Sequence, residues 1–124
     1  MKPRLKVWVV FETGLKFGDG RAQLLEAIDE LGSLQQAVAR FDMSYRNAWG
    51  YLRDLEEAAG FAILERRTGR RPNGGMRLTP HGREFLARYW RFRRGLDDVA
   101  GRRFSRSFLS GDDRPRTPRK MRVS

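Results

Sequence analysis

The 124-residue chain has no cysteine and one histidine, His81. Disulfides, thiolate metal centres and a cysteine nucleophile are therefore excluded, and no histidine-rich metal site can be assembled within one chain. No apolar run approaches the roughly 20 residues of a membrane span. The N-terminal Val7-Trp8-Val9-Val10-Phe11 is too short for a signal sequence and has no small-residue cleavage site. A carboxylate pair in a recognisable pocket motif is missing too, so catalysis has no candidate machinery. A soluble cytoplasmic protein, not an enzyme and without a cofactor, is the expectation. Acidic residues are also in short supply: 15 Asp and Glu face 26 Lys and Arg, a net charge of +11. Such an excess favours a polyanionic partner, nucleic acid ahead of a membrane surface.

What is present reads as one small domain, mainly α with a small β component. Leu5–Phe11 is rich in β-branched and aromatic residues and predicts an N-terminal strand. Gly14, Gly18 and Gly20 break it, and Asp19 is placed to cap a helix over Arg21–Leu31, whose Leu24, Leu25, Ile28 and Leu31 share a face. Gly32 suits the left-handed end of that helix. Ser33 then caps a second helix, Leu34–Phe41. Only Asp42 and Met43 precede the next cap, Ser44. Two helices joined this closely cannot lie antiparallel side by side and must cross steeply, which is the helix-turn-helix arrangement.

The third helix, running to about Ala59, has two unlike faces. Ala48, Trp49, Leu52 and Leu55 recur at spacings of three and four and form its packed side. Arg46, Asn47, Gly50, Arg53 and Asp54 fall opposite. After Gly60 comes apolar Phe61-Ala62-Ile63-Leu64, then a glycine-rich, basic turn from Thr68 to Gly75, then Met76-Arg77-Leu78 as a returning strand. This is a β-hairpin wing, with five Arg against one Glu over Glu65–Arg77. Thr79-Pro80 opens a long aromatic helix reaching about Val99. Residues 1–100 are expected to fold as a winged helix-turn-helix, and the basic segment 101–124 to be a disordered tail.

Gly32-Ser33-Leu34-Gln35-Gln36-Ala37, Met43-Ser44-Tyr45-Arg46-Asn47-Ala48-Trp49, Leu64-Glu65-Arg66-Arg67-Thr68-Gly69, Gly74-Gly75-Met76-Arg77-Leu78-Thr79 and His81-Gly82 stand in the order found in one family. Over about residues 5–100 the chain resembles the DNA-binding domain of ModE-type molybdate-responsive transcription regulators, relatives of the LysR-type winged helix-turn-helix domains. The resemblance implies a homodimer, joined largely through the long C-terminal helix, on a pseudo-palindromic operator in double-stranded DNA. It also suggests control of molybdate-transport or molybdoenzyme genes. Members of that family continue into oxyanion-binding domains. The chain ends at Ser124, and a short protein complete without such a domain is the expectation.

Arg46 and Asn47 lie in the first turn of the helix that would enter the major groove, where Arg can donate twice to guanine and Asn can pair with adenine. Gly50 admits two explanations, a close approach of DNA or close packing on another helix. Tyr45 is expected to be partly buried with its hydroxyl outward, Trp49 to sit in the core, and Arg53 to meet phosphate. Ser33 is either an ordinary cap or one that also presents its hydroxyl and free amides to a phosphate, Ser44 is a cap counted among the expected DNA-binding residues, and Gln35 either contacts phosphate or is solvated. Arg70 and Arg71 at the wing tip are candidates for phosphate or minor-groove contact. His81 reads as structural. Phe85, Leu86, Tyr89, Trp90, Phe92 and Leu96 exceed what one face against a small core uses and form the expected dimer seam. Two rival functions remain: a nucleoid or architectural protein of low sequence preference, and an adaptor that recruits another protein through the aromatic helix.

Overall fold

The computed structural model describes residues 1–66 and 75–109. Its elements run β1 (Trp8–Val10), β2 (Lys16–Gly18), α1 (Asp19–Leu31), α2 (Leu34–Val38), α3 (Tyr45–Ala59), β3 (Leu64–Arg66), β4 (Met76–Leu78) and α4 (Pro80–Phe104), followed by a π-helical turn, Ser105–Leu109. Val7–Phe92 makes one compact unit; Met1–Lys6 and the chain from Arg93 onward make another.

In the first unit two short antiparallel hairpins accompany the helices, β1 with β2 and β3 with β4. The strand expected over Leu5–Phe11 is confined to three residues, and its partner β2 was not foreseen. Three residues are too few to show period-two alternation. Tertiary packing marks β2 instead: Phe17 is fully buried, with ring centroids 4.8 Å from Phe85 and 5.1 Å from Tyr89.

Asp19 is the first residue of α1 rather than its cap, since Gly18 occupies the cap position and offers no side chain. The Asp19 carboxylate instead accepts a 2.5 Å hydrogen bond from the Tyr89 hydroxyl. Gly32, at φ 72°, ends α1 in the left-handed conformation the sequence predicts. Helix α2 is shorter than expected. It stops at Val38, and the chain continues through bonds from Arg40 N to Ala37 O and from Phe41 N to Val38 O, a tighter three-residue winding.

The core is built where the apolar stripes of α1 and α3 meet the hairpins, around Phe17, Leu24, Leu25, Ile28, Leu52, Leu55 and Ile63. Two carboxylates fasten the wing to the helices. Glu56 Oε2 accepts from the amides of Ile63 at 2.8 Å and Leu64 at 3.0 Å, holding the start of β3 to α3. Asp29 on α1 accepts from Leu78 N at 3.0 Å and from Arg83 Nη1 at 2.5 Å. A backbone bond from Met76 N to Gly32 O closes the same junction. Glu56→Ala would leave two amides without their charged acceptor, one of them on fully buried Ile63. It should lower unfolding free energy by about 2 kcal/mol, read as a shifted urea midpoint at unchanged slope.

Leu86 and Tyr89, expected at a dimer seam, are buried in the chain's own core. Phe85 and Trp90 are partly buried against that core as well. Phe92 stays 46 % exposed.

In the second unit α4 does not end near Val99 or break at Gly101 but continues to Phe104. Residues 101–109, placed in the tail by composition, are therefore helical; 110–124 lie outside the described residues. Arg93 is buried, donating through Nη1 to Asp97 and through Nη2 to the Leu5 carbonyl. Leu96 is partly exposed, and Val99, Phe108 and Leu109 are open to solvent.

Candidate nucleic-acid interface

Helix α3 is placed by its caps and its buried side. Ser44 is extended, and its hydroxyl accepts from Asn47 N at 3.0 Å, so the first turn starts where the sequence predicts. Ala48, Leu52 and Leu55 are buried at 0–2 % exposure. At about 100° per residue, this buried side leaves Arg46, Gly50 and Arg53 at the middle of the outward face. Tyr45 and Trp49 then form one flank, and Asn47 and Tyr51 the other, about 200° around the helix. Arg46, Asn47 and Arg53 are all exposed.

Gly50 is decided in part by the space around it. A Cβ built there meets nothing within 4 Å, so close packing on another helix does not explain this glycine among the described residues. Its backbone is open to whatever approaches α3 from outside.

On the first flank, the start of α2 and the base of the wing converge on α3. Ser33, Leu34, Gln35, Tyr45, Trp49, Arg66 and Met76 line a recess of about 50 Å³. Ser33 acts as a cap, accepting from Gln36 N at 3.1 Å, and Gln35 is exposed beside it. Tyr45 is more exposed than expected, at 47 %, with its ring edge-on to Trp49 at 6.4 Å. Trp49 is only partly buried: it lies at the rim of the core and not inside it. The helix-turn-helix and the wing thus present Ser33, Gln35, Tyr45 and Arg66 together, although they are far apart in sequence.

Among the wing cations, Arg77 is paired with Glu65 at 2.6 Å across the β3–β4 ladder. Simple counting of charge therefore overstates what the wing offers to a partner. Arg70 and Arg71 lie outside the described residues. His81 is exposed and stands 5.5 Å from the Phe61 ring, consistent with a structural position.

The second flank was missed by sequence reasoning. Tyr51 is half-buried, and its hydroxyl donates to the Lys16 carbonyl at 2.8 Å. The Arg21 guanidinium lies over the Tyr51 ring, 4.6 Å from its centroid. Gly20, Arg21, Leu24, Phe41, Asp42, Met43 and Asn47 line a recess of about 460 Å³ there. One signal was available, because a cation in the first turn of a helix opposes the helix dipole. Burial pushes the Tyr51 phenol from 10.0 up to about 12, although the nearby Arg21 charge pulls the other way. The folded state therefore holds this proton more tightly than the unfolded chain. Its contribution to stability is complete below pH 10 and is lost as pH rises toward 12. A phenolate absorbance titration should show a step near pH 12 that Tyr51→Phe removes.

Residues 20–83 match the bacterial regulatory helix-turn-helix proteins of the lysR family. The chain belongs to this family. Its LysR-type helix-turn-helix is α2 and α3, inside the matched span. The molybdenum transport protein ModE of Azotobacter vinelandii is 35 % identical over 78 residues, covering 63 % of this chain and 29 % of that protein. ModE of Herbaspirillum seropedicae is 40 % identical over 68 residues, covering 55 % and 25 %. The chain thus spans less than a third of the length of these relatives. Full-length CbnR, solved in complex with its target DNA, shares the fold with a TM-score of 0.55 at 23 % identity, covering 70 % of this chain and 28 % of CbnR. Among the described residues, no helix is long and apolar enough to cross a membrane.

Proposed function

We propose that this chain is a sequence-specific, DNA-binding transcription regulator of the LysR/ModE type, acting in the cytoplasm as a homodimer on a pseudo-palindromic operator. The outward face of α3 carries the reading: Arg46 and Arg53 flank an unobstructed Gly50, beside Asn47 and above a packed Ala48, Leu52 and Leu55. A helix presented this way can enter a major groove and offer hydrogen-bond donors to base edges. The match to regulatory helix-turn-helix proteins and the relatives named ModE support the same reading. Their names also suggest control of genes for molybdate uptake or use. Oxyanion sensing by these 124 residues forms no part of the proposal.

Dimerisation rests on the apolar side chains that remain exposed. Of those on α4 and the turn after it, Phe92 lies in the first unit and Val99, Phe108 and Leu109 in the second. The seam expected from sequence thus loses Leu86 and Tyr89 and moves toward the later turns of α4. Selection of bound fragments from random DNA tests the main claim. Enrichment of one palindromic motif, with half-sites about a helical turn apart or a multiple of it, is the expected result. The net charge of +11 supports a second reading, an architectural DNA-binding protein. Tight binding with no enriched motif would favour it.

A further inference from the structure

A helix lying in a major groove has a phosphate backbone on each side of it, because the groove is only about 12 Å wide. The two flanks of α3 therefore face different strands. One flank is furnished by the start of α2 and the wing base. The other is furnished by the start of α1. Asn47 and Tyr51 are four residues apart and so lie one turn, about 5.4 Å, from each other along that second flank. Arg21 rests on the Tyr51 ring and is exposed. Tyr51 is itself tied to Lys16 through its hydroxyl, so the platform under the guanidinium is anchored to β2.

We propose that Arg21, laid on Tyr51 one turn from Asn47, contacts a DNA phosphate on the strand opposite the one met by the wing, clamping the recognition helix between two backbones. The inference rests on the reading of α3 as a groove-entering helix. Three observations point the same way. A cation in the first turn of α1 opposes the helix dipole, an effect that Asp19 in the same turn partly offsets and a phosphate at the same place would offset further. Arg21 is exposed while stacked, and it loses little freedom on binding, since the ring already restricts it. The recess that Arg21 shares with Asn47 is large and open, not filled by other side chains. Asp42 lines that recess too and opposes an approaching phosphate, so its carboxylate acts against Arg21.

Binding of the selected operator, measured by fluorescence anisotropy across a salt series, tests the proposal. For Arg21→Ala, the slope of log affinity against log salt should fall by about one per protomer, with affinity lost equally on operator and unrelated DNA. Arg21→Lys should retain the wild-type slope, and Asp42→Asn should tighten binding to both DNAs. Replacing single phosphates by neutral methylphosphonates should reveal one position whose loss weakens the wild type but not Arg21→Ala. An Arg21→Ala protein with the wild-type slope, or one whose weakened binding is matched by a lowered melting temperature, overturns the proposal. If the wild type enriches no motif and binds no DNA, the reading of α3 fails and the clamp fails with it.

Discussion

Arg46→Ala should weaken operator binding more than any other substitution of an exposed residue in the described part of the chain. A bidentate Arg–guanine contact discriminates by about 1–3 kcal/mol, which is roughly 5- to 150-fold for one half-site. In a homodimer the contact is made twice, so the loss runs from roughly 30-fold upward if the half-sites are independent. Because Arg46 is exposed and no side chain packs across neighbouring Gly50, folding should be unaffected, with melting temperature held within a degree or two. Site selection repeated with the variant should show relaxed preference at one base position per half-site. Arg46→Lys should fall between the two, since a single ammonium cannot reproduce the two parallel donors. Equal loss of affinity on operator and unrelated DNA would assign Arg46 to phosphate and leave base reading to other residues.

The largest expected effect on stability is Gly82→Ala. Gly82 is buried in the first turn of α4, and a Cβ there would stand 2.3 Å from the Ile63 carbonyl oxygen and 3.1 Å from its carbon. The obstacle is backbone, which cannot rotate aside like the end of a side chain. It is also held on several sides. Thr79 N donates to Ile63 O at 2.9 Å, the Thr79 hydroxyl donates to Ala62 O at 2.6 Å and accepts from Gly82 N at 2.9 Å. Relieving the clash means prying α4 from the start of β3. Overpacking of this kind costs about 3 kcal/mol, at the upper end of its usual range. For a domain of this size that is a fall in melting temperature of roughly 10–20 °C. Gly95→Ala is the control. It lies in the same helix with nothing within 4 Å of its Cβ, and should be neutral or stabilising by up to about 1 kcal/mol. If the two variants melt alike, close approach at Ile63 is not the reason for the glycine at 82.

Much of this interface is legible in the residue order, and the places where it is not share one cause. Ser44 caps α3, Gly60 ends it in the left-handed conformation, and Ala48, Leu52 and Leu55 are buried; each follows from local chemistry and helical period. Gly50 could not be resolved that way, since an empty neighbourhood is a property of the whole fold. Tyr89 looked like surplus apolar surface on α4. Its ring instead meets Phe17, and its hydroxyl finds Asp19, seventy residues away in sequence. Period analysis counts apolar residues on a helix but does not say how many a neighbouring hairpin will cover. The hairpin at residues 8–18, through Phe17, covers part of the α4 surface that apolar residues alone assign to a dimer seam.

By itself the sequence determined the order of the helices and the wing, the two faces of α3, the capped helix-turn-helix and the net positive charge. These depend on contacts within a few residues, or on composition, and both can be read along a chain. Only the tertiary structure decided which cations are available and what surrounds them. It pairs Arg77 with Glu65, bolts the wing to Asp29 and Glu56, and lays Arg21 on Tyr51. Those contacts join residues separated by up to 49 positions, and side-chain partners at such distances are chosen by packing geometry, which no local pattern encodes.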